Sequence, residues 1–250
     1  MFSSLTRAIR AFFQALKALA GSAPLALLVV GAISLLLGVS EKAIYDAVIG
    51  GGATGQDAMV PVLLGWTGLN LAAELLIGPL TAATAVFIAL RHVGGTQHSA
   101  MGGLRFATSR YGRMFVPHLF AQLSIQLGIQ LLLPGLLFWT MYAFVDPVAA
   151  LENERAVLER SKVLTKGRRM TVLALVAPFI LFGLLRLFYD LELVQGMGYP
   201  GFVAWVGFWF FWTYVILVAQ SLLYIERVGG VEALKAAAQA RVAAQRPPVE

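Results

Sequence analysis

The sequence predicts an all-α fold: a polytopic membrane helical bundle of six transmembrane spans, with amphipathic interfacial helices on its cytoplasmic side. Three observations lead there. Of the 250 residues, 59% are hydrophobic and 13% charged, against about 45–50% and about 25% in ordinary soluble domains. Apolar runs such as APLALLVVGAISLLLG from Ala23 and GFVAWVGFWFFWTYVILVAQSLLYI from Gly201 recur at bilayer spacing, and a soluble core could not absorb so many helices that are apolar all round. Finally, Lys and Arg, which give a formal net charge of +6, sit in short flanks between those runs, where they meet anionic headgroups and set topology. That placement argues against nucleic acid as a partner. The absence of cysteine excludes disulfides, a thiolate nucleophile and Cys-based metal sites.

Residues 1–22 predict an amphipathic interfacial helix. Arg7, Arg10, Gln14 and Lys17 recur at helical spacing, and Leu5, Ile9, Phe12, Phe13, Leu16 and Leu19 fill the opposite face, the pattern of a helix lying in the interface. Its basic part is too long and regular for a signal peptide, so an uncleaved first span is expected after it. The six-span domain then covers residues 23–228. Span one runs from about Ala23 to the upper forties and carries Glu41, Lys42 and Asp46 toward a net-acidic, glycine-rich loop. Span two runs from about Met59 to Ile88, with Gly78-Pro79 expected to bend it. Spans five and six are about Met170 to Phe188 and Phe202 to Tyr224, the last with Trp205, Trp209, Trp212 and Tyr214 toward its outer half, where aromatic side chains favour the interface.

Between them, residues 114–146 are too long for one crossing: roughly 50 Å of helix against a hydrocarbon core of about 30 Å. A reversal at Pro134-Gly135 gives two spans. The N-terminus, the Arg91 to Arg113 loop, the Glu152 to Arg169 segment and the C-terminus then share one basic side, as the positive-inside bias demands. Span four, Leu136 to about Leu151, is short, and a re-entrant hairpin would give the same sidedness.

The connectors read as helices. In LENERAVLERSKVLTKGRR, charges recur every three or four residues with an apolar face opposite, which suits a helix along the membrane surface. HSAMGGLRFATSRYGRMF resembles it more weakly because of Gly102 and Gly103. Three units, each an interfacial helix followed by a two-span hairpin, are one description; connectors that are basic simply because they face the cytoplasm are the other. Residues 229–250 predict a cytoplasmic helical tail from Val231 to Gln245, stopped by Pro247-Pro248.

Polar residues within spans are the candidate site. Glu74, with Asn70 one turn earlier, is read either as a proton or cation site or as a carboxyl bonded to its neighbours. His118, Gln122, Gln126 and Gln130 repeat every fourth residue; they either line a polar path or bond helix to helix. No phosphate-binding loop, HExxH or GxSxG motif is present, so neither cofactor nor catalytic residue is assigned.

At LPGLLFWTMYAFVDPVAALENERAVLERSKVLTKGRRM the chain resembles the YciC-like bacterial inner-membrane proteins and is similar to the membrane domain fused to some glycerophosphodiester phosphodiesterases. The residues that carry the resemblance are Pro134, Gly135, Pro147, Glu152, Arg160, Ser161, Leu164, Thr165 and Gly167. It implies a six-helix domain in a bacterial inner membrane, not an activity. The expectation is therefore a non-enzymatic scaffold or envelope and lipid homeostasis component, with both termini cytoplasmic. Its partners are anionic lipid headgroups at the cytoplasmic face, with a protein partner or a second copy also compatible. The alternative is a transporter or lipid-handling subunit with a polar intramembrane path.

Overall fold

The computed structural model describes residues 2–52, 56–96, 99–129, 133–152, 154–178, 180–181 and 196–244. Among these, every regular element is a helix. In chain order they are α1 (Phe2–Gly21), α2 (Ala23–Gly50), α3 (Gln56–Val93), α4 (Ala100–Ile129), α5 (Leu133–Tyr142), α6 (Val145–Leu151) and α7 (Val157–Thr165). They are followed by α8 (Arg169–Pro178), α9 (Tyr199–Arg227) and α10 (Gly230–Ala244). Among the described residues, four stretches are long and apolar enough to cross a membrane: Ala23–Gly50, Val60–Val93, Pro134–Leu151 and Tyr199–Arg227. The second half of α4 is not among them, because Arg113, His118, Gln122 and Gln126 lower its hydropathy. Most of the second half of expected span five, from residue 182 to Phe188, lies outside the described residues.

The contacts between helices give the chain's direction. Ascending α4, Arg113, His118 and Gly128 meet Ala149, Asp146 and Gly135 in turn. Each advance along α4 is therefore a retreat along α5 and α6, and the chain doubles back between Ile129 and Leu133. α2 and α9 are antiparallel as well, with Ser34 against Gly207 and Gly38 against Val203. α3 runs against α4, joining Leu76 to Tyr111 and Phe87 to Phe106. Its other neighbour is α2, through Glu41 to Trp66 and Ile44 to Gly65. One end of the bundle thus gathers the start of α2, the α3–α4 connection, the end of α6 and the α9–α10 junction.

Small residues set these crossings, as close backbone approach requires where lipid supplies no hydrophobic drive between helices. A Cβ on Gly128 would stand 2.8 Å from the Gly135 nitrogen and 2.9 Å from its Cα. Backbone, unlike a side chain, cannot swing aside. Gly128→Val is expected to lower stability by about 1–3 kcal/mol, read as thermal aggregation in detergent; an unchanged melting curve would show that α4 and α5 do not meet there.

Each end of α3 has a different environment. Val60, Leu64 and Leu76 are exposed, whereas every residue from Thr81 to Ala89 is buried. Tyr214 donates to Thr84 Oγ1 at 2.8 Å in this enclosed layer. α1 packs against α9 there, stacking Phe12 on Trp212. Its buried face is mostly alanine, at Ala8, Ala11, Ala15 and Ala18, with Leu19 at its end, while Leu5, Ile9 and Phe13 stay exposed.

α2 ends at Gly50, close to the expected end of span one, and places Glu41 within the helix, 1% exposed. α3 stays helical through Pro61 and Pro79. The connectors differ from expectation. The connector before span three is not a separate helix: α4 runs from Ala100, started by Ser99, whose hydroxyl accepts the Gly102 N–H at 2.8 Å, an N-terminal cap that offsets the glycines. α7 covers only Val157–Thr165 of the predicted surface helix. Gly167, at φ +81°, provides the left-handed residue that stops it. The tail helix, Gly230–Ala244, agrees with the prediction to within a residue.

Candidate functional site

α3, α4 and α6 bring three ionisable side chains together. His118 sits on α4 just after Pro117, 1% exposed, with Nδ1 2.8 Å from an Asp146 carboxylate oxygen and Nε2 3.5 Å from Glu74 Oε1. Gly78 opens the space: a Cβ there would fall 2.5 Å from Nε2. Nε2 also faces the Glu74 backbone carbonyl at 3.2 Å. The carbonyls just before Pro79 accept from α4: Tyr111 donates to Leu76 O at 3.0 Å.

The geometry fixes the proton count. A carbonyl oxygen can only accept, so Nε2 carries hydrogen. One further hydrogen lies between Nδ1 and the Asp146 carboxylate. Whichever atom holds it, the His118–Asp146 pair is neutral as a unit, which avoids much of the penalty of burying a charge. Glu74 stands at the edge, its side chain 37% exposed.

Asn70 does not join this triad. One turn from Glu74, it donates to the Glu41 carboxylate, and Trp66 Nε1 donates to the Glu41 carbonyl at 2.8 Å. The two α3 residues grouped in the sequence therefore serve different neighbours, α2 and α4. The expected glutamine stripe does not act as one row either. Gln122 is half-buried, Gln126 is exposed, and neither has a hydrogen-bond partner among the described residues; Gln130 lies outside them.

Most of the residues that carry the resemblance lie around the junction of α5, α6 and α7, while Pro134 and Gly135 sit at the far end of α5. The helix breaks at Ala143 and Phe144, freeing backbone groups that α7 satisfies. Ser161 Oγ donates to Met141 O at 2.9 Å and accepts the Phe144 N–H at 3.3 Å. Thr165 Oγ1 lies 3.3 Å from the same Met141 oxygen. Glu152, 6% exposed, receives Arg160 Nε at 3.0 Å and the Tyr224 hydroxyl at 2.8 Å. Arg113 donates to Ala149 O at 2.7 Å and to Glu152 O, capping the end of α6 with a cation. Leu164 is buried, and its carbonyl accepts Arg227 Nε at 3.2 Å. Pro147 is buried in the first turn of α6, where its missing N–H loses nothing. Gly135 abuts Gly128, and Pro134 is half-buried at the start of α5. On the outer face of α7, the hydrogen bond from Lys162 to Glu159, 2.5 Å, raises the ammonium pKa above its ordinary value.

Asp146, Glu41, Arg113 and Tyr224 were not singled out by sequence reasoning. Glu41 carried a signal: Ile33, Leu37, Glu41 and Tyr45, every fourth residue, are all buried. Among the described residues no group of three or more His, Asp or Glu could hold a metal ion. No family model, curated protein or solved structure matches the chain.

Proposed function

We propose that the chain is a six-span, non-enzymatic protein of a bacterial inner membrane, related to the YciC-like proteins, that acts as a scaffold or envelope and lipid homeostasis component. The spans are α2, the stretch of α3 from about Met59 to Ile88, the second half of α4, the α5–α6 pair, the sequence-predicted span from about Met170 to Phe188, and α9. Both termini are cytoplasmic. The observation that carries this reading is where the buried charge goes. Glu41, Glu152 and the His118–Asp146 pair are each engaged by neighbouring helices, so they act as braces between helices. The basic connectors lie together at one end of the bundle, which fits the positive-inside bias. At that end, Leu5, Ile9 and Phe13 give α1 an exposed apolar stripe that enters the acyl layer beside anionic headgroups.

A second reading, a polar path, is favoured by the exposure of Glu74 beside His118. Purified protein in liposomes with an internal pH dye separates the two. The scaffold reading predicts proton flux equal to that of empty liposomes under an imposed gradient. A flux that disappears in Glu74→Gln, with the fold retained, would replace it with the path.

A further inference from the structure

We infer that the groove between α1, the end of α3 and the α9–α10 junction binds a phosphate-bearing ligand through Arg7 and Arg10. The groove encloses about 330 Å³ and is lined by Arg7, Arg10 and Gln14 on one side and by Val93, Leu222 and Glu226 among others on the opposite side. That volume lies within the range of small-molecule sites.

Its charge is unbalanced in one direction. Arg7 and Arg10 are exposed, three residues apart on α1, and neither has an ion-pair or hydrogen-bond partner among the described residues. Like charges at that spacing repel, and a shared anion removes the repulsion. The one carboxylate of the groove, Glu226, is already paired with Arg168 at 3.0 Å, so it does not neutralise them. Two guanidinium forks suit the tetrahedral oxygens of a phosphate, which accept several donors at once. Gln14, one turn beyond Arg10, adds an amide donor. The apolar walls, Ala11, Val93 and Leu222, receive the uncharged body of the ligand.

The phosphate comes either from a lipid headgroup or from a soluble phosphate ester. With Leu5, Ile9 and Phe13 in the acyl layer, headgroups lie level with α1, and the groove also opens on α1's polar side. The lipid source rests on the reading of α1 as an interfacial helix; the soluble source does not.

Two measurements on the full chain distinguish the sources. Native mass spectrometry in detergent reads binding of phosphatidylglycerol against diacylglycerol, which lacks the phosphate, and a thermal-shift titration reads inorganic phosphate. In at least one arm the wild type is expected to bind, and Arg7→Gln with Arg10→Gln to bind about tenfold or more weakly. Lys17→Gln, on the same helix outside the groove, is expected to stay within about twofold. A lipid response alone identifies a headgroup, and a phosphate response identifies a soluble ester. An arginine variant equal to the wild type in both arms overturns the site. So does a Lys17→Gln loss as large as that of the arginine pair, which would make the binding a general effect of positive charge. Membrane insertion of α1, followed by fluorescence quenching of a probe at Phe13, tests the interfacial reading separately.

Discussion

Glu152→Ala is expected to destabilise the protein by about 3–5 kcal/mol, the range found when one partner of a buried ion pair is removed. Glu152 is 6% exposed and ties three elements: Arg160 of α7, Tyr224 of α9 and, through its backbone, Arg113 of α4. Its removal leaves the Tyr224 hydroxyl in an apolar setting and takes the counter-charge from Arg160. The converse change is milder. Arg160 keeps 39% of its side chain exposed, so it is partly solvated and Arg160→Ala should cost about 1–2 kcal/mol. Tyr224→Phe removes one hydrogen bond, about 1 kcal/mol. Equilibrium unfolding in mixed micelles would read the order Glu152, Arg160, Tyr224. Equal losses for the two members of the ion pair would contradict the unequal burial on which the order rests.

His118→Leu should destabilise by about 3 kcal/mol, because it takes the partner from the Asp146 carboxylate, which is held 2.8 Å from Nδ1 inside the bundle. Asp146→Asn should cost no more than about 1 kcal/mol. The amide can donate to Nδ1 while Nε2 keeps its hydrogen, so the unit stays neutral with its contacts intact. The same micelle unfolding curves measure both. Were Asp146→Asn as damaging as His118→Leu, the shared proton would belong on Nδ1, making the unit an imidazolium–carboxylate ion pair that an amide cannot replace.

The features legible in the sequence were those set by chain length and by the energetics of lipid. The reversal between α4 and α5 follows from a run too long for one crossing. That Glu74 and His118 turn toward neighbouring helices follows from the cost of ionisable groups facing lipid. The partnerships were not legible, because they depend on which helices become neighbours. Asp146 looked like the end of a short span, yet it completes the His118 site 28 residues away in sequence. Glu41 was expected near the end of span one, leading into the acidic loop; within α2 it instead turns toward α3, where Asn70 donates to it. The glutamine repeat misled for a geometric reason: a four-residue period advances about 40° per step around a helix with 3.6 residues per turn. By Gln126 the row has wound about 80° from His118 and out of the packed face. The motif of the family resemblance was visible only as a string. Its physical role, closing the broken helix with Ser161 and Thr165 and clasping Glu152 with Arg160, depends on the fold of α7 against α5 and α6.

The most direct test of the proposed topology is thiol accessibility, made simple by the absence of native cysteine. Gly51→Cys, Lys166→Cys and Gly198→Cys mark the end of α2, the end of α7 and the start of α9. A membrane-impermeant maleimide applied to intact cells should label positions 51 and 198 and reach position 166 only after permeabilisation. Labelling of position 166 together with position 198 in intact cells would place α7 across the bilayer from the basic connectors and contradict the six-span arrangement.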